Sequence, residues 1–70
     1  MRRADLIRAI AREAKRQGVA WAIAREGANH TIFTLGRLRL PIPRHVEIGE
    51  RLARAILDET EAELGRRWWQ

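Results

Sequence analysis

Apolar residues recur three and four positions apart at both ends of the chain, and at alternate positions between them. Leu6, Ile7, Ile10, Ala11 and Ala14 fall on one side of a helix, with Arg8, Arg12 and Arg16 on another. The spacing predicts a helix over residues 3–17, stopped by Gly18 as a left-handed residue. Basic residues late in this segment suit the negative end of a helix dipole. Val19, Trp21 and Ile23 then alternate with Ala20, Ala22 and Ala24. Both sets are apolar, so a helix is also compatible, but Gly18 and Gly27 bracket the stretch and Trp21 favours a strand over 19–26. Gly27-Ala28-Asn29 supplies turn chemistry, because Gly and Asn tolerate positive φ. A strand over 30–35, a short turn at Gly36-Arg37 and a strand over 38–42 follow. Pro41 and Pro43 mark this last strand as an edge or a strand end. Ile48, Leu52, Ala53, Ile56, Leu57 and Leu64 then form a broad apolar stripe, opposite Arg51, Arg54, Asp58 and Glu61. They predict a helix over 49–64. Its acids cluster late, the unfavourable end of the dipole, at under about 1 kcal/mol each. The tail from Gly65 to Gln70 is short and is expected to fray unless it docks.

The predicted order is helix, three antiparallel strands, helix, an α+β fold in one domain spanning residues 1–70. Each helix has a single apolar stripe to bury, so both are expected on one face of the sheet, leaving the other face open. This is the arrangement of a double-stranded-RNA-binding-domain-like fold. A chain of 70 residues buries only about 60% of the surface it exposes when unfolded, so its core is thin. With no cysteine, neither a disulfide framework nor a thiolate zinc site is available. Two histidines and scattered carboxylates suggest no metal cluster, and no cofactor is expected. No apolar run approaches the roughly 20 residues of a membrane span. The first residues carry charge but no apolar stretch of signal-peptide length. The expected location is the cytoplasm.

The formal charge is +5, and every basic residue but Lys15 is arginine. Arginine's planar fork matches phosphate bidentately, but a GC-rich coding bias would also replace lysine with arginine. The net charge, more than the choice of arginine, points to a polyanion. Within this cationic frame His30 stands at the mouth of the first hairpin. Histidine gains or loses a proton most easily near neutral pH. A lone histidine beside a turn is commonly just a solvated residue; the alternative is a proton-transfer group.

Several segments, in order, carry a resemblance that covers roughly Ala4 to Glu59. An opening helix, Ala4-Asp5-Leu6-Ile7-Arg8, precedes a strand ending near Arg25-Glu26-Gly27. Gly27-Ala28-Asn29-His30-Thr31-Ile32-Phe33 forms a glycine-to-histidine turn with an aromatic three residues beyond the histidine. Pro41-Ile42-Pro43-Arg44-His45-Val46-Glu47-Ile48 forms a proline-rich exit from the third strand, and Leu52-Ala53-Arg54-Ala55-Ile56-Leu57 a closing helix. Together they resemble the HicA toxin family, the RNA-cleaving half of HicA–HicB toxin–antitoxin pairs. Many members have serine directly before the histidine; here Ala28 and Asn29 separate Gly27 from His30, which removes one hydroxyl near the reaction centre.

The resemblance implies an mRNA interferase: a metal-independent RNA endonuclease with His30 as catalytic acid or base, neutralised by a HicB-like antitoxin protein. Arg25, Arg37, Arg39 and Arg44 become candidate electrostatic helpers. His45 is a possible second acid or base, if it lies near His30, or else a loop residue ahead of the last helix. Arg8, Arg12 and Arg16 either grip RNA phosphates or form a solvated helix face. Trp68 and Trp69 either stack on bases or cover the core or a partner. Two other functions stay open: a non-catalytic RNA-binding module, and a protein-interaction domain.

Overall fold

Residues Met1 to Gln70 are all described by the computed structural model. Helix α1 spans Arg3–Gln17 and buries Leu6, Ile10 and Ala14. Gly18 ends it at φ 73°, and its N–H returns to the carbonyls of Ala14 and Lys15. Strands β1 (Trp21–Glu26), β2 (His30–Leu35) and β3 (Leu38–Pro43) follow, and helix α2 (Glu50–Leu64) closes the chain. The strands pair antiparallel in the order β1-β2-β3. This is the expected α-β-β-β-α arrangement.

Three boundaries differ from the sequence pattern, each for a local reason. β1 begins at Trp21 because the Val19 N–H is already used, donating to Ala14 O at 2.8 Å at the end of α1. β3 runs one residue further, to Pro43, because Pro43 still stands opposite His30 in the ladder. α2 begins at Glu50 because Gly49 is its extended N-cap, whose carbonyl accepts the Ala53 N–H at 2.9 Å. The turn at Gly27-Ala28-Asn29 also departs from expectation, since none of its residues has positive φ. Positive φ is used instead at Gly36, at 58° in the β2–β3 turn. A Cβ there would also strike the Glu63 carboxylate of α2.

Both helices cover the sheet face that carries Phe33, Leu35, Leu40 and Ile42. With Leu6, Ile10, Ala14, Ile48, Ala53, Ile56, Leu57 and Leu64 these form one core. Trp21 stacks on Phe33, with ring centroids 4.5 Å apart. The C-terminal tail docks rather than fraying. Trp68 and Trp69 pack against the core; Trp68 Nε1 donates to Thr60 Oγ1 at 2.8 Å, and the Arg54 guanidinium lies 4.7 Å from the Trp69 ring centroid. No helix is long and apolar enough to cross a membrane.

Candidate functional site

A two-residue hairpin closed by the Leu35–Leu38 pair sets the hydrogen-bonding phase of β2 against β3. Counting along the ladder, Pro41 opposite Ile32 and Pro43 opposite His30 both fall at positions that do not hydrogen-bond to β2. Neither proline costs a ladder bond, and the outer edge of β3 carries no N–H at these positions. α2 runs beside this edge. Between them lies a groove of about 700 Å³, bordered by Leu52, Ala55, Ile56 and Glu59 of α2, by Pro41 and Pro43, by Ala28, Asn29 and His30 of the first hairpin, and by Arg44 and His45.

Both histidines are exposed at this groove. His30 also borders a shallow hollow on the open sheet face, with Arg25, Ile32 and Pro41. It therefore stands where the groove meets the open face.

A polar network fixes the turn from beneath. The Gly27 N–H donates to His30 O at 2.8 Å, and the Arg44 N–H to Asn29 O at 3.2 Å. Arg44 Nη2 donates to Glu26 Oε1 at 2.9 Å and to the Gly27 carbonyl. Thr31, only 2% exposed, donates from Oγ1 to the same Glu26 oxygen at 2.8 Å. Arg3 donates from Nη2 to Thr31 Oγ1 at 2.9 Å and from Nε to Pro43 O at 2.8 Å. A Cβ on Gly27 would lie 3.1 Å from His30 O, so glycine permits this close approach of the backbone. The segment carrying His45 is tied to the start of the chain by Arg3 N to Val46 O at 2.9 Å and Ile48 N to Met1 O at 2.7 Å.

The candidate arginines are divided among separate places. Arg25 comes beside His30, and Arg44 borders the groove while already paired with Glu26. Arg39 stands opposite Thr34, four residues along β2 from His30, about 13 Å at strand rise. Arg37 lies in the turn at the far end of β2, roughly 17 Å or more away. Arg8 is exposed on α1 and paired with Asp5 at 3.0 Å. Arg12 borders a different cleft, with Met1, Glu13, Leu57, Trp68 and Trp69. Arg16 is held by Glu13, whose carboxyl is lowered from 4.5 to about 2, chiefly by the Arg16 hydrogen bond and then by Gln17. The α1 arginines and the histidine groove are thus distinct surfaces. No group of three or more His, Asp or Glu side chains is placed to hold a metal ion.

Sequence reasoning did not single out Glu59 or the Arg3–Thr31–Glu26–Arg44 network. Glu59 shares helical spacing with Leu52, Ala55 and Ile56, a signal that becomes readable once the α2 face bordering β3 is known. Comparison with protein-family models, curated proteins and solved structures finds no match to the chain.

Proposed function

We propose that the groove beside β3 is an RNA-cleavage site and that the protein is a toxin-type RNA endonuclease of the HicA kind. The observation that supports this reading is that His30 and His45, 15 positions apart in the chain, border one groove at the edge of an arginine-bearing sheet. Two imidazoles suit a metal-independent transphosphorylation. One takes the proton from a ribose 2′-hydroxyl as its oxygen attacks the adjacent phosphorus. The other protonates the 5′-oxygen as its bond to phosphorus breaks. The products are a 2′,3′-cyclic phosphate and a 5′-hydroxyl. Positioned acid–base groups contribute typically about 10²–10⁴-fold each. Arg25 stabilises charge developing on the phosphoryl oxygens, while Arg44 chiefly holds the turn. The substrate is mRNA in the cytoplasm, and a HicB-like antitoxin silences the enzyme by covering the groove and the open sheet face.

A second reading, a non-catalytic RNA-binding module, is favoured by Ala28-Asn29, which supplies no hydroxyl ahead of His30, and by the prior commitment of Arg44 to Glu26. The two are separated by incubating purified protein with RNA in the presence of a chelator and analysing the product ends. Cyclic-phosphate ends that disappear in both His30→Ala and His45→Ala support the cleavage reading. Salt-sensitive RNA binding with intact RNA supports the binding module.

A further inference from the structure

β1 is the other free edge of the sheet, and it is built differently from β3. Ala20 O accepts the Gly36 N–H at 2.8 Å, and Ala22 pairs with Thr34. The even-numbered residues at the start of β1 therefore turn their backbone groups toward β2. Trp21 and Ile23 turn theirs outward, and no other element bonds to them. A shift in register after Ile23 ends this regular stretch. The outer edge carries no proline and no charge from Val19 to Ala24. Ile23 is on the helix-covered side of the sheet, opposite Phe33, yet remains 57% exposed. An apolar edge that carries neither proline nor charge invites pairing with another strand.

We infer that β1 is a self-pairing edge that joins two copies of this chain across a two-fold axis at Ala22. In this register Trp21 of each copy stands opposite Ile23 of the other, and both residues present outward N–H and C=O groups. The two pairs are reciprocal, as a two-fold contact requires. Ala22 meets Ala22 at the axis in the close, non-hydrogen-bonded position. The regular stretch at the axis, Trp21 to Ile23, is uncharged, so no like charges stand opposite one another within it. Each exposed Ile23 is covered by a tryptophan ring, an aromatic–aliphatic pair of the kind that stabilises sheets. What favours a second copy is the side-chain match: it brings Trp21 opposite the exposed Ile23 on both sides of the axis. The result is a six-stranded sheet with its β3 edges outermost, so both histidine grooves stay open.

The absence of native cysteine makes the register directly testable. At a non-hydrogen-bonded antiparallel pair the Cα atoms lie about 4.5 Å apart, within the range a disulfide spans. In the full chain, Ala22→Cys is expected to form a covalent dimer on mild oxidation, whereas Arg39→Cys is not. By sedimentation equilibrium, wild type is expected to reach twice the monomer mass with rising concentration, and Ile23→Lys to remain a monomer with an unchanged circular-dichroism spectrum. A wild type still monomeric at about 1 mM, the limit of weak association, would overturn the inference. So would a dimer that survives Ile23→Lys, or an Ala22→Cys protein that fails to cross-link while dimeric.

Discussion

β1 and β3 are both edge strands of one three-stranded sheet, yet they meet their surroundings in opposite ways. β3 carries prolines at two of the three positions where an outward N–H would stand, Arg39 being the third, has α2 along its flank, and borders the groove that holds both histidines. β1 carries alternating small and large apolar residues, with Ile23 largely uncovered. The difference teaches where each strand's stability originates. β3 is fixed by core side chains and by Arg3 on its last carbonyl. β1 is held by β2, by the Trp21–Phe33 stack and, at its end, by Glu26. A polar ligand suits the first edge and another strand suits the second.

The contrast breaks most severely in the core. Leu40 on β3 is fully buried, so Leu40→Ala is expected to cost about 2–5 kcal/mol in urea unfolding. Ile23→Ala on β1, measured in dilute monomeric protein, should stay within about 0.5 kcal/mol. Equal losses at the two positions would remove the asymmetry. A smaller effect is expected beneath the His30 turn. Thr31→Val keeps the shape but leaves Arg3 and Glu26 without their shared hydroxyl, at a cost of about 1–3 kcal/mol. Faster amide exchange from Gly27 to Thr31 should accompany it.

Pro41→Thr tests the edges with little change in stability. It restores an outward N–H to β3, and the expected outcome is stronger self-association by light scattering without loss of secondary structure. The smallest effect is the pH response of α1. Because the Glu13 carboxyl is lowered from 4.5 to about 2 in the folded chain, its stabilisation is present above pH 4.5 and is lost as pH falls toward 2. Glu13→Gln should flatten the acid limb of the stability curve in that window.

The architecture was readable because its two periods are so distinct. Leu6, Ile10 and Ala14 could only line a helix, and the punctuation by Gly18, Gly27, Gly36 and the two prolines set the meander. The boundary at Trp21 was not readable, since it depends on which carbonyl the Val19 N–H finds. His30 could be singled out by its chemistry and its place at a turn. Its neighbours could not: His45 and Glu59 reach the groove only through the way α2 lies beside β3, a tertiary fact with no local signature. Arg44 illustrates the same limit. Its charge suggested a phosphate ligand, whereas its side chain is spent on Glu26 and Gly27. The tail tryptophans were legible only as alternatives, decided by the partners they find in Thr60 and Arg54.

RNA cleavage through His30 at the groove beside β3 is what we propose for this protein. The most direct measurement is the single-turnover cleavage rate of a short RNA by purified wild type and His30→Ala, with chelator present and with folding of both verified. Wild type is expected to cleave the RNA, and the variant to lose about 100-fold or more in rate. Equal rates in the two proteins, or no cleavage by wild type at any pH between about 5 and 8 where histidine exchanges protons, would contradict it.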